Sequence, residues 1–295
     1  MTSTNENIFQ PRDALLRQRD RSIGAILVDS GRLRPEAAEK ILAFQKERGL
    51  RFGEAGLALG LISEEDVRFA LANQFEYTYL APGEGPVSSD VVAAYQPNHP
   101  CVEALRVLRS QLMLRWLDSS AEYKSLAIVS TEDKVGRSFI TANLAVVFSQ
   151  LGERTLLIDA NLRAPRMHEY FKLENRAGLA SVLGERTDGE PIIHIRAFAG
   201  LSVLPAGPPT PNPQELLSRP SFRNLIEAAA SRYDVILIDT PSWRQGADAQ
   251  IIAARARAAI LVSRPDYSSV NSAVEFVDLL GQSGAQVLGA VVNQF

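Results

Sequence analysis

Three clusters of residues have the types and spacing to hold a phosphate and a hard cation. The first is Ser130-Thr131-Glu132-Asp133-Lys134-Val135-Gly136-Arg137-Ser138-Phe139, which lies between an apolar run, Ser125 to Ser130, and a helix-like stretch from Ser138 to Leu151. A tight turn, then a glycine, a cation and a hydroxyl at a helix start, is the layout in which backbone N–H groups cradle phosphate and the hydroxyl holds magnesium. The candidate nucleotide contacts are therefore Lys134, Val135, Gly136, Arg137, Ser138 and Phe139. The other two clusters are carboxylates that close apolar runs, Asp159 after Thr155 to Ile158 and Asp239 after Val235 to Ile238. A carboxylate at the tip of a buried strand has to be paired or to meet a cation, because an isolated buried charge is costly. Asp239 has the form of a Walker B aspartate, so Ser138 and Asp239 are the candidate magnesium residues. Taken singly, the loop also reads as a polar turn and either aspartate as a helix cap. Their succession along one chain is what favours a nucleotide site.

Residues of this kind need a rigid edge to stand on. Short apolar runs at 125–130, 155–159, 201–204, 235–239, 258–262 and 287–292 alternate with amphipathic, helix-length patterns such as 138–151 and 221–231. Near-continuous apolar strands separated by helices predict an α/β fold, a mostly parallel sheet covered on both faces. Ligands in such sheets bind beyond the carboxyl ends of the strands, directly after Val129, Ile158 and Ile238.

Ahead of this region the sequence repeats itself. Ser22-Ile23-Gly24 through Leu33 returns about 29 residues later as Arg51-Phe52-Gly53 through Ile62. Gly24 matches Gly53, Gly31 matches Gly60 and Gln45 matches Gln74. Pro35 and the run Ser63-Glu64-Glu65-Asp66 are helix-start signals. The clusters Ala81 to Pro86 and Gln96 to Pro100 cannot sustain helix or strand. The expected organisation is a flexible tail at 1–19, a small helical repeat domain at 20–80, a linker at 81–100 and the α/β domain at 101–295.

Composition narrows the field. With 46% hydrophobic and 22% charged residues, the chain is neither disordered nor a disulfide scaffold. A net charge of −3 argues against a protein that coats nucleic acid. One cysteine and three scattered histidines make a structural zinc site a poor expectation. No apolar run reaches the roughly 18 residues that a spanning helix needs, so a cytoplasmic chain without a direct membrane span is expected.

From Cys101 to Phe295 the chain resembles the cytoplasmic domain of bacterial tyrosine kinases (BY-kinases), within the MinD/ParA-like class of P-loop NTPases, and most closely the chain-length-determinant EpsG-type kinases of exopolysaccharide synthesis. The residues that carry this are Glu103 to Arg109, Gly136-Arg137-Ser138, Thr155 to Arg163, Leu204 to Gly207, Asn212 to Leu217, Tyr233 to Pro241 and Gly289 to Asn293. The resemblance implies ATP and Mg²⁺ as cofactors. It implies Ser138 as a magnesium ligand, Asp239 as a residue holding magnesium through water, Arg137 as a phosphate contact, Asp159 as a group activating a tyrosine hydroxyl, and Asn293 as an adenine contact. It assigns Glu103, Arg106 and Arg109 to a face that pairs subunits into a ring. It implies a membrane polysaccharide co-polymerase as partner, with the chain peripheral to the inner membrane through that partner. Lys134 in place of a glycine, Asn161 in place of a second aspartate, Ser242 in place of a second proline and the lack of a tyrosine-rich tail lead to the expectation of attenuated phosphotransfer. The tyrosines Tyr77, Tyr79, Tyr95 and Tyr267 read as packing or surface residues.

The repeat from Ser22 to Gln74 resembles the MshEN-type N-terminal domain of type II secretion ATPases, some of which bind cyclic di-GMP. That resemblance implies a ligand site at Arg21, Gly24, Gly31, Gln45, Arg51, Gly53, Gly60 and Gln74, where glycines admit a planar ligand to the backbone. A helical bundle used for protein contact is the alternative. For the whole chain, the alternative to a kinase-type regulator is a non-catalytic scaffold or cyclic di-GMP receptor with a degenerate P-loop. A ParA/MinD-like positioning ATPase is a weaker third reading, because Glu132 stands where those proteins carry a signature lysine.

Overall fold

The computed structural model describes residues 22–74, 79–80, 85–117, 124–185 and 191–294. The chain divides into two units, Met1–Tyr79 and Leu80–Phe295.

The described part of the first unit is four helices, α1 (Ile23–Asp29), α2 (Pro35–Arg48), α3 (Phe52–Ala58) and α4 (Glu64–Gln74). The sequence repeat is a repeat of short and long helix. Ser22 Oγ accepts from the Ala25 N–H at the start of α1, and Pro35 opens α2. Ser63 and Asp66 cap each other reciprocally at the start of α4, which satisfies N–H groups that have no partner inside the helix. Gly31 and Gly60 turn the chain after α1 and α3 with φ of +71° and +64°, a conformation that costs a side chain energy and glycine nothing. Leu27, Leu33, Ile41, Ala55, Ile62 and Ala70 form the core.

The second unit is built on seven strands, β1 (Ser125–Val129), β2 (Thr155–Asp159), β3 (Ile193–His194), β4 (Leu201–Leu204), β5 (Val235–Asp239), β6 (Ala258–Ser263) and β7 (Gln286–Val292), in the order β3-β4-β2-β5-β1-β6-β7. All neighbours are parallel except β3 and β4. Every residue of β1, β2, β4 and β5 is buried, because successive side chains enter opposite cores. Leu126 and Ile128 join one cluster, Ala127 and Val129 the other. The first face is covered by α5 (Val92–Tyr95), α6 (Pro100–Leu112), α7 (Arg137–Ser149) and α8 (Met167–Tyr170). The second is covered by α9 (Leu179–Leu183), α10 (Pro213–Ser218), α11 (Pro220–Ala230), α12 (Asp248–Ala256) and α13 (Val270–Gln282). The parallel sheet is the expected one. The antiparallel β3 was not expected, since two residues at an edge leave no periodic signal.

The expected linker is corrected by the structure. From Gly85 onward it belongs to the second unit: Val87, Val91, Ala93 and Ala94 are buried in the core of the first face. Asn143 on α7 accepts from the Ala93 N–H at 2.9 Å and donates to the Asp90 carbonyl at 3.1 Å. Gln150 donates to the Ala93 carbonyl at 3.0 Å. Proline and glycine limit regular structure there to the single turn α5, and side chains on and just after α7 satisfy the backbone around it.

Candidate functional site

The carboxyl edge of the sheet brings the three clusters together. Asp159 and Asp239 are register partners on β2 and β5, and Asp239 is also paired with Ile128 on β1, just before the loop. Gly136, with φ of +85°, caps α7 and turns the loop into it. Ser138 Oγ donates to Asp239 Oδ2 at 2.7 Å, and Thr141 Oγ1 stands 3.3 Å from Oδ1. Arg137 is 7% exposed, lies 3.5 Å from Asp239 Oδ1 through Nε, and hydrogen-bonds Ser130 Oγ through Nη1. Asp239 therefore sits at the meeting point of two hydroxyls and a guanidinium from one turn of helix.

Both carboxylates are wholly buried. Burial, and next the charge of Asp239, push the Asp159 carboxyl up to about 8. Three backbone N–H groups oppose the rise: Asn161 at 3.2 Å, Arg166 at 3.0 Å and Met167 at 2.9 Å. Burial likewise raises Asp239, against the pull of Arg137, Ser138 and Thr141. Two carboxylates side by side at a buried edge do not ionise independently.

The departures from the family pattern have structural consequences. Lys134 is exposed, so its side chain does not plug the loop; the feature of that position is a left-handed backbone, φ +57°. Asn161 is buried and turns its carboxamide oxygen to the Ala164 N–H at 3.1 Å. Ser242 is buried beside the tip of β5, and its Oγ has no hydrogen-bond partner. Asn293 follows β7 and donates through Nδ2 to the Val135 carbonyl at 3.0 Å, which ties the last strand to the loop. Val135 is buried, and Phe139 packs half-buried against the core of the first face.

Elsewhere the structure separates what the sequence grouped. Arg106 pairs with Glu103 on α6, but Arg109 is 8% exposed and donates to the Val147 carbonyl at 2.8 Å. Arg109 thus holds α6 to α7 and is not on the outer face with the other two. In the repeat unit, Gly24 and Gly53 are buried for packing. A Cβ on Gly24 would meet the Phe52 ring at 2.9 Å, and one on Gly53 would meet Val67 at 3.2 Å. These glycines admit neighbouring side chains, where the sequence reading had them admit a ligand. Gln45 is half-buried and Arg51 exposed, with the Arg51 N–H bonded to Glu54. Arg21 lies outside the described residues, as does the side chain of Gln74.

Sequence reasoning passed over four contributors. Thr141 reaches Asp239, and Ser130 receives Arg137. Arg163 forms a two-point pair with buried Asp248, at 2.8 and 3.1 Å. Glu132, 3% exposed, bonds Thr131 and accepts from the Ser269 N–H at 3.4 Å. Thr141 had a signal: it stands three residues after Ser138, one helical turn on.

A phosphate-binding loop that faces two strand-end aspartates on a mostly parallel sheet defines a P-loop NTPase of the MinD/ParA-like fold. The comparisons agree. A family model described as ParA, NUBPL iron-transfer P-loop NTPase, matches residues 123–294. Tyrosine-protein kinase YwqD of Bacillus subtilis is 36% identical over 204 residues, 69% of this chain and 85% of that protein. Tyrosine-protein kinase Wzc of Salmonella typhimurium is 33% identical over 205 residues, 70% of this chain but 28% of that longer protein. The solved kinase domain of the Escherichia coli tyrosine kinase ETK is 29% identical with a TM-score of 0.67, covering 74% of this chain and 84% of that one. The chain belongs to the bacterial tyrosine kinase (BY-kinase) family of P-loop NTPases. Among the described residues, no helix is long and apolar enough to cross a membrane.

Proposed function

We propose that this chain is an ATP-dependent, tyrosine-kinase-type regulator of exopolysaccharide chain length or export, working at the cytoplasmic side of the inner membrane with a membrane polysaccharide co-polymerase. The observation that carries the reading is the convergence of Ser138, Thr141 and Arg137 on Asp239, beside Asp159. The residues present fit magnesium and a triphosphate. Ser138 Oγ and the Asp239 carboxylate are hard oxygen donors, and buried Arg137 Nε has no hydrogen-bond partner, so it has capacity for phosphate.

When bound, Mg²⁺-ATP supplies a transferable γ-phosphoryl group with part of its charge neutralised. Ser138 and Asp239 would hold the metal, which would neutralise part of the phosphate charge. Arg137 would contact phosphate, and Asn293, bonded to the Val135 carbonyl of the loop, would contact the adenine. Asp159 takes the proton of the tyrosine hydroxyl. Burial, and next the Asp239 charge, raise its pKa in the free protein, so neutralising that charge would favour the carboxylate form that acts as a base. Asn161 adds no charge to the site, and this supports phosphotransfer slower than in relatives that carry aspartate there.

Glu103 and Arg106, with Val107 and Leu114 exposed nearby in sequence, support subunit pairing into a ring. In the repeat unit, exposed Leu42, Leu57, Leu59 and Leu61 support protein contact. Glycines filled by packing favour that reading over a cyclic di-GMP site. The test is the full chain with Mg²⁺, labelled ATP and a poly(Glu,Tyr) acceptor. Slow labelling of tyrosine is expected; a chain that neither binds ATP nor labels tyrosine contradicts the proposal.

A further inference from the structure

Strand order gives Asp159 two different neighbours. On one side of β2 lies β5, with Asp239 and, beyond it, the phosphate loop that follows β1; on the other side lies β4. The chain leaving β4 at the same carboxyl edge borders a cleft that the site described above does not use. A hollow of about 540 Å³ is lined by Arg163, Pro211, Asn212, Glu215 and Ser218 among others. A second, of about 320 Å³, continues it past Pro211, Asn212 and Glu215 to Arg219. Arg163 belongs to the loop whose N–H groups bond Asp159. The cleft therefore opens beside the proposed base, on the side away from the phosphate loop.

Its walls are preformed. Gly207, with φ of +83°, is held by Asn175, which accepts from its N–H at 2.8 Å and donates to its carbonyl at 2.9 Å. Pro208, Pro209, Pro211 and Pro213 stiffen the rest of the connection from β4 to α10. Walls fixed in advance leave little freedom to be lost when a ligand is seated.

The charges of the cleft favour one sign of ligand. Buried Asp248 is engaged by Arg163 through Nε and Nη2, which leaves the Nη1 edge of Arg163 outside that pair. Arg219 donates to the Leu183 carbonyl at 3.2 Å and Arg255 to the Ser218 carbonyl at 3.3 Å. A carbonyl satisfies an N–H group without neutralising the positive charge. Among the described residues that line the cleft or bond its walls, the guanidiniums of Arg163, Arg219 and Arg255 stand against only the carboxylates of Asp248 and Glu215.

We propose that this cleft seats the acceptor peptide and selects acidic side chains beside the acceptor tyrosine, with Arg219 and Arg255 as the specificity-determining charges. The inference deepens the kinase reading above and rests on it. An extended segment laid along Pro211 and Asn212 brings its tyrosine to Asp159 from the open side, while its carboxylates meet Arg219, Arg255 and the outer edge of Arg163. Glu215 is the opposing charge, and it disfavours the same ligand.

The test uses three fluorescent peptides of equal length, each with a central tyrosine flanked by glutamate, glutamine or lysine. Binding to the full chain is read by anisotropy without ATP, and transfer is then read with labelled Mg²⁺-ATP. The glutamate peptide should bind at least about fivefold tighter than the glutamine peptide at low salt, and lose that advantage at high salt. Arg219→Glu should weaken the glutamate peptide at least about fivefold, tighten the lysine peptide and leave ATP affinity unchanged. Arg219→Lys should keep the wild-type order, Arg255→Gln should weaken the glutamate peptide, and Glu215→Gln should tighten it about twofold. In turnover, Arg219→Glu should raise KM for the glutamate peptide and leave kcat in place. Equal binding of the three peptides, or an Arg219→Glu chain that keeps the wild-type order, overturns this inference, while labelled tyrosine leaves the kinase reading standing. If no peptide is labelled, the kinase reading fails, and a cleft that binds acidic peptides without any transfer is not an acceptor site.

Discussion

Asp159 answers two opposed demands: a buried position beside a second carboxylate favours its proton, and three backbone N–H groups favour its charge. With a native pKa near 8 and an unfolded value of about 3.9, the native state of the free protein holds a proton that the unfolded state releases across this range. The unfolded state binds fewer protons, so stability falls as pH rises from about 4 to about 8. We expect the melting temperature of the ligand-free protein to decline between pH 5 and 8, and Asp159→Asn to flatten that decline; parallel profiles would contradict the assignment. Lys134 is governed by its backbone. A left-handed residue with a side chain costs about 1–2 kcal/mol, against about 0.5–1 kcal/mol that glycine loses through the unfolded state. Lys134→Gly should therefore raise stability by up to about 1 kcal/mol in urea unfolding, and a loss of stability would show that the lysine side chain contributes more than its backbone costs. The acidic strand tips and Gly136 were legible in the sequence because residue type and position suffice for them. The carboxamide of Asn161 and the burial of Arg109 were not, since both depend on what three-dimensional neighbours offer.

The strands and their helices follow from hydrophobic period, and the sequence ranges agree with the observed ones to within a residue or two. The segment from Val87 to Tyr95 shows where period fails. Its only regular element is the single helical turn Val92–Tyr95, yet its apolar side chains enter the core and its backbone is bonded by Asn143 and Gln150, on and just after the helix that starts at the phosphate loop. No local pattern in 85–100 announces that long-range pairing. Asn143→Ala removes the partners of the Ala93 N–H and the Asp90 carbonyl at a wholly buried position. It should cost about 1–3 kcal/mol, chiefly for leaving the buried Ala93 N–H unsatisfied. A cost below about 0.5 kcal/mol in denaturant unfolding would mean that water replaces both bonds. The repeat unit gives the complementary lesson. Its periodic glycines announced the helix pairs correctly, while their use in packing Phe52 and Val67 needed coordinates.

At the scale of the molecule, membership of the BY-kinase family and the P-loop fold rest on the second unit, where strand order places β1, β2 and β5 side by side and so gathers residues far apart in sequence. That gathering is the physical basis for proposing that Ser138 and Asp239 hold magnesium against a triphosphate. The most direct test is the magnesium dependence of ATP affinity, measured by calorimetry on the full chain and on Asp239→Asn. The account predicts that removing Mg²⁺ weakens ATP binding to the wild type at least about tenfold, roughly 1.4 kcal/mol, and that Asp239→Asn binds weakly with little response to the metal. Equal ATP affinity with and without Mg²⁺, or an Asp239→Asn variant that keeps the wild-type response, would contradict it.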